Sequence, residues 1–121
     1  MRCAMGRQKG FTLIELMIVI CIIGILASFA ALSMTSYRVR GYNMLARSDV
    51  KNAFTASQAY FIDNPAGNVT VTNLTNCGFR TSDNVVVTVN NGTVDNLEIT
   101  SVHGAGDTTY TINTYGIISP Q

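Results

Sequence analysis

Polar and apolar positions divide the chain into three stretches. Phe11 to Leu32 reads FTLIELMIVICIIGILASFAAL, with Glu15 its one ionisable residue. After Glu15, only Cys21 and Ser28 interrupt the apolar run. As a helix it would be roughly 33 Å long, enough to cross a hydrocarbon layer of about 30 Å. Ser33 to Ile62 has no proline and only Gly41 as a weak helix former. Within it, Val39, Tyr42, Ala46, Val50, Ala53, Ser57 and Tyr60 recur every three or four positions, and Phe54 and Phe61 widen the stripe. That spacing predicts an amphipathic helix. Arg38, Arg40, Arg47, Asp49, Lys51 and Asp63 fall mostly off the stripe. Asp63-Asn64-Pro65-Ala66-Gly67 supplies the stop.

Beyond Asn68 the period changes. Val85 to Val89 and Leu97 to Thr100 read as strands, with Asn90-Asn91-Gly92 as a turn between them. Gly104-Ala105-Gly106-Asp107 marks a second turn. Thr108 to Thr114 and Gly116 to Ser119 then predict a last pair of short strands. Val69 to Phe79 reads as a connecting loop, with a short strand at Val69–Val71 as an option. The expected fold class is α+β: a long N-terminal helix, its first half transmembrane, packed on a small antiparallel sheet of three to four strands.

Composition sharpens this picture. Charged residues make up only 12% of the 121 positions, about half the usual share, as expected if part of the chain never meets water. Arg2, Arg7 and Lys9 precede the apolar run without any acid. Removing them from the eight Lys and Arg leaves five against seven Asp and Glu. No basic face of the kind nucleic acid requires is visible. Three readings of the N-terminus follow. One is a secretory signal cleaved near Ala30, after Ser28-Phe29-Ala30, leaving a small secreted binding domain. A second is an ordinary single-span anchor, its orientation weakly set because Arg38, Arg40 and Arg47 balance the N-terminal cations.

The third rests on Gly10-Phe11-Thr12-Leu13-Ile14-Glu15-Leu16. A short basic leader, Gly directly before Phe, Glu four residues later and an unbroken apolar helix resemble a type IV pilin of the type IV filament superfamily. The later layout of helix, loop and sheet matches architecturally. Arg47 to Ala53 and Asp107 to Ile112 also look like segments of bacterial major pilins. The resemblance implies residues 1–10 as a leader, 11–32 as the transmembrane and assembly half of the helix, 33–62 as its amphipathic half, and 63–121 as loop and sheet of a globular head. It implies that a prepilin peptidase cuts between Gly10 and Phe11 and N-methylates Phe11. It further implies a homopolymer of identical subunits, built by inner-membrane assembly machinery with a cytoplasmic ATPase. The subunit would wait in the bacterial inner membrane among lipid, single-pass with its N-terminus cytoplasmic, and then enter an extracellular pilus. Adhesion, twitching motility and DNA uptake are activities of the family as a whole. A minor pilin or a type II secretion pseudopilin shares these features.

Glu15 supports this on chemical grounds. A carboxylate in an apolar span is costly and usually has a partner. Cleavage after Gly10 makes one, the Phe11 amine, about one helical turn away. Pairing with a neighbouring subunit's amine would fix axial register. The alternative is a protonated Glu15 near the headgroups. Two departures from the family pattern stand out. Gly24 is present as a point of helix flexibility, but Leu32 stands where many major pilins have proline. No C-terminal disulfide is expected, because Cys3, Cys21 and Cys77 fall in leader, span and outer domain. Cys77 is read as a buried apolar residue, with an exposed thiol open to oxidation as the alternative.

No cofactor or metal is expected. His103 stands alone beside a glycine turn, and Asp95 with Glu98 is too sparse for a calcium loop. No nucleophile–base arrangement or phosphate loop appears, so an enzyme is not expected. Asn68, Asn73 and Asn91 begin glycosylation-type triplets, which in a bacterial protein say little. Phe11, Phe29, Tyr37, Tyr42, Phe54, Tyr60 and Phe61 along the helix are read as packing residues rather than an electron path.

Overall fold

The structure, a computed structural model, describes residue 6 and residues 9–121. The leader residues Arg2, Cys3 and Arg7 lie outside the described residues. The chain divides into two units, one ending at Thr35 and the other running from Ser36 to Gln121. Helix α1, Leu13–Asp63, begins in the first and ends in the second. Its continuity follows from the absence of proline in that stretch.

In the first unit every described residue is exposed. The helix contains a window of mean hydropathy 2.7, none of it buried, with the length and composition of a membrane span. The hydroxyl of Ser28 donates to the Gly24 carbonyl at 2.8 Å, so this hydroxyl is satisfied within its own helix.

The second unit builds a core. Helix α2 is Val71–Asn76, followed by strands β1 (Val85–Asn91), β2 (Glu98–His103), β3 (Thr109–Asn113) and β4 (Ile118–Pro120). They form one antiparallel sheet in the order β1-β2-β3-β4. Pairing aligns the inward side chains in rows. Val89, Ile99, Ile112 and Ile118 make one row; Val87, Ser101 and Tyr110 make the next. The helix answers with Ala46, Val50, Ala53, Ala56 and Phe61. Small residues on α1 let the helix approach the sheet closely, and the Ser101 hydroxyl donates to the Ala46 carbonyl inside that contact.

Several expectations are corrected. Residues 69–79 are neither plain loop nor strand: they contain α2. Thr70 caps it, accepting from the Asn73 amide while the Asn73 side chain accepts from the Thr70 amide at 3.0 Å. At the other end Gly78 turns left-handed (φ 91°), and the Phe79 amide reaches the Leu74 carbonyl at 3.0 Å. Phe79 and Leu74 are both buried there. Two caps and one hydrophobic contact hold a helix that Val, Thr and Asn would not form alone. Asn90-Asn91-Gly92 is not a tight hairpin turn either. β1 continues to Asn91 with an irregularity between Val89 and Asn91, and a longer loop leads to β2.

Two side-chain placements also differ. Asp49 is buried on the sheet-facing side, where the Ser82 amide and hydroxyl donate to it at 2.6 and 2.9 Å. Cys77 is exposed, because it is the C-cap of α2 and not a core residue. Among the aromatics, Phe61 is buried and Tyr42, Phe54 and Tyr60 are half-buried, whereas Phe11, Phe29 and Tyr37 are open.

Candidate functional site

The start of α1 concentrates the chemistry of the first unit. Gly10 and Phe11 lie outside the helix, and Phe11 is 93% exposed. Thr12 ends the non-helical segment. Its carbonyl accepts the first helical bond, from the Leu16 amide at 3.3 Å. The Glu15 carboxylate Oε2 accepts from the Thr12 amide at 3.0 Å, and the Glu15 amide donates to Thr12 Oγ1 at 3.3 Å. This reciprocal pair is a capping box. It satisfies two amides that the first helical turn would leave without partners. A negative group also suits the positive end of the helix.

Glu15 is therefore occupied on one oxygen by its own chain. Among the described residues its other oxygen, Oε1, has no partner. Around it Phe11, Glu15, Leu16, Ile18 and Val19 line an apolar groove of about 400 Å³. One turn of helix thus offers a half-satisfied carboxylate, an adjoining peptide junction outside the helix and an apolar lining. Thr12 escaped the sequence reading, although its signal was present. The Thr-x-x-Glu spacing of Thr12 and Glu15 is a capping-box signature. Gly24 sits in unbroken helix, and open space surrounds the position a Cβ would take.

The other candidates are drawn into the architecture of the second unit. His103 is buried and stacked on Tyr42, ring centroids 4.3 Å apart, and its Nδ1 accepts from the Ala105 amide at 3.0 Å. Beside it the buried Asn43 Nδ2 donates to Asp107 Oδ1 at 2.7 Å, and the Asp107 amide returns a bond to Asn43 Oδ1 at 3.1 Å. The Asn43 amide, with help from Thr108, holds the Asp107 carboxyl below its ordinary value. These contacts clamp the β2–β3 turn to α1. Glu98 accepts from Asn90 at 2.9 Å, and both Asp95 and Glu98 are exposed. Among the described residues no cluster of three metal-ligating side chains forms. Of the three triplet asparagines, Asn73 caps α2, Asn91 accepts from Thr93, and Asn68 is exposed.

One comparison with known proteins falls on the same N-terminal region. A family profile described as the prokaryotic N-terminal methylation motif matches residues 5–31. A type IV major pilin protein PilA of Myxococcus xanthus is 44% identical over 55 residues, 46% of this chain and 25% of that protein. A fimbrial protein of Pseudomonas aeruginosa is 46% identical over 59 residues, 49% of this chain and 38% of its own. A type II secretion system core protein G of Pectobacterium carotovorum is 38% identical over 58 residues, covering 48% and 37% of the two chains. The chain thus spans less than half the length of these relatives. The chain is thus similar to type IV pilins, to fimbrial proteins and to a type II secretion core protein, through a methylation motif and matches that cover less than half of its length.

Proposed function

We propose that the chain is a structural subunit that polymerises into a type IV pilus. The observation that carries this is the apolar half of α1, uncovered among the described residues and headed by a carboxylate of which, among those residues, only one oxygen is engaged. Such a surface is stable in lipid or against other helices, and not in water. Cleavage between Gly10 and Phe11 would leave an ammonium on Phe11, methylated in the mature chain. The junction lies outside the helix, where a peptidase in the membrane can reach an extended peptide. Residues 1–10 are then the leader, and residues 11–32 anchor the subunit in the inner membrane before assembly. On assembly the apolar helices exchange lipid for one another. Glu15 meets a neighbour's Phe11 amine through Oε1, and any other register leaves a charge buried and unpaired. Gly24 is the point at which the helix yields. Residues 33–62 and 63–121 carry the head to the filament surface. The chain's partners are identical subunits, the prepilin peptidase, the inner-membrane assembly machinery and lipid.

A pseudopilin role in type II secretion is the second reading. Leu32 in place of proline and the match to core protein G favour it. One experiment separates the two: filaments sheared from native cells, with an intact mass and N-terminal fragment spectrum of the dominant small protein. A dominant chain beginning at methylated Phe11 supports the pilus subunit. The same chain confined to membranes supports the pseudopilin. A start near Ala31 overturns both.

A further inference from the structure

On the second unit, α1 carries a cationic strip on a flank beside the face that meets the sheet. Tyr37, Arg40, Met44, Arg47 and Lys51 follow at intervals of three and four, and all five are exposed. That spacing puts them on one line of the helix. The sheet takes the face beside it through Asn43, Ala46, Val50, Ala53 and Ser57. Every basic residue of this unit except Arg80 lies between Arg38 and Lys51. Arg40 rests 6.0 Å from the Tyr37 ring centre, and among the described residues none of these cations pairs with a carboxylate.

Three exposed acids of this unit lie away from the strip, whereas Asp49 is buried within the strip's span and the exposed Asp83 and Asp107 fall outside that group. Asp63 ends α1, while Asp95 and Glu98 flank the β1–β2 loop. The Val69 amide donates to the Gly92 carbonyl at 2.8 Å, and Thr114 Oγ1 donates to the Val94 carbonyl at 2.6 Å. These bonds tie the β1–β2 loop, which carries Asp95 and Glu98, to the segment that follows Asp63 and to the β3–β4 loop. The β2–β3 turn held by Asn43 marks the opposite end, where the strip begins. The unit therefore presents cations along one flank and a group of exposed acids at one tip.

We propose that the Arg40–Arg47–Lys51 strip docks the acidic tip, Asp63, Asp95 and Glu98, of a second copy of this chain. This rests on the filament-subunit reading and deepens it: a head-to-flank contact would add axial direction to the register that Glu15 supplies. Charge complementarity of this kind steers encounter and rejects wrong registers. A lipid surface is a poorer fit. Tyr37 to Lys51 extends along the helix by roughly 21 Å, whereas a headgroup layer is only about 5–8 Å deep on each side.

The test uses the full chain in its native cells. Wild-type sheared filaments are treated with carbodiimide, which joins a lysine amine directly to a carboxylate. Lys51 should appear joined to Asp63, Asp95 or Glu98 in dimeric species. Arg47→Glu with Lys51→Glu should lower filament yield by about tenfold or more. Adding Asp95→Lys and Glu98→Lys to that chain should restore most of it, whereas adding Asp83→Lys should not. Normal yield from the double reversal overturns the proposal, as does equal rescue by Asp83→Lys. Normal filaments from the reversal, with Lys51 of the wild-type chain shielded from acetylation only in anionic bilayers, would assign the strip to lipid and also overturn it. Absence of the wild-type chain from any filament defeats the subunit reading itself, a separate result.

Discussion

The two ends of one helix treat apolar side chains in opposite ways. Ile20 and Leu26 in the first unit are 58% and 63% exposed, while Val50 and Ala53 in the second are fully buried. The second unit supplies its own cover from α2 and the sheet, so its apolar residues are satisfied within one chain. The first unit has no cover of its own and must obtain it from lipid or from other helices. The polar groups follow the same division. Asp49, Asn43 and Ser101 find partners inside the second unit. Among the described residues Glu15 accepts one bond only, from the Thr12 amide to Oε2. Stability of the head and competence to assemble should therefore respond to different substitutions.

The sharpest break in that comparison is Glu15→Ala. Losing one partner of a buried ion pair costs about 3–5 kcal/mol, repeated at every subunit of a filament. The leader should still be removed and the head should keep its urea midpoint, while sheared filaments fall to a small residue. A normal filament yield from processed Glu15→Ala would remove the register role.

Next in size is the core of the second unit. Ile99 is fully buried between Val89 and Ile112, and Ile99→Ala should cost about 2–5 kcal/mol. Near-ultraviolet circular dichroism of the tyrosines, in urea with the full chain in mild detergent, reads that loss. Ile20→Ala should leave the same midpoint unchanged. Equal shifts from both substitutions would mean that the two units are not independent.

The sequence disclosed the two regions unequally, for physical reasons. The Gly10 to Glu15 pattern and the uninterrupted run to Leu32 are local, and so is the lack of proline that keeps α1 continuous. Strand alternation in β2 and β3 was also local, and the four-stranded sheet followed. What stayed hidden depends on distant partners. Asp49 lies three residues after Ala46 and four before Ala53, so only its charge marked it for the surface, and Ser82, 33 positions away, makes its burial tolerable. The Asn43–Asp107 clamp spans 64 positions. α2 was hidden because its residues are poor helix formers, and its caps and the buried Leu74 outweigh that deficit. In the candidate site the residues were legible, but Thr12 was not. The Glu15 carboxylate has a local use, as a cap for the Thr12 amide, besides its charge.

Asp49→Ala tests whether such long-range polar anchors matter to the head. The substitution strands the Ser82 amide and removes the tie between α1 and the segment leading into β1. The expected cost is about 1–3 kcal/mol, below that of Ile99→Ala. Hydrogen exchange should rise first in residues 79–84, with the sheet core less affected. Uniform exchange across the head would instead point to global loosening. Filament yield should fall only as far as the folded population does, because Asp49 faces the sheet and not a neighbour.

The smallest expected effect belongs to Asp107. Hydrogen bonds from Asn43, then from Thr108, hold its carboxyl below the ordinary value of 3.8. A folded value below the unfolded one means that the charged form is favoured in the folded chain. Its contribution to stability is therefore complete above about pH 4–5 and is lost as the pH falls through the folded value. Asp107→Asn cannot titrate, and every other acid is common to both chains. The gap between the two urea midpoints should thus be flat near neutrality and narrow below pH 3.8. Asp107 is exposed, so solvent screening keeps the effect small. A gap that does not change with pH would mean that the Asn43 clamp holds the β2–β3 turn by shape and not by charge. In that case Asn43→Ala, which removes both bonds at once, should still loosen the turn at any pH.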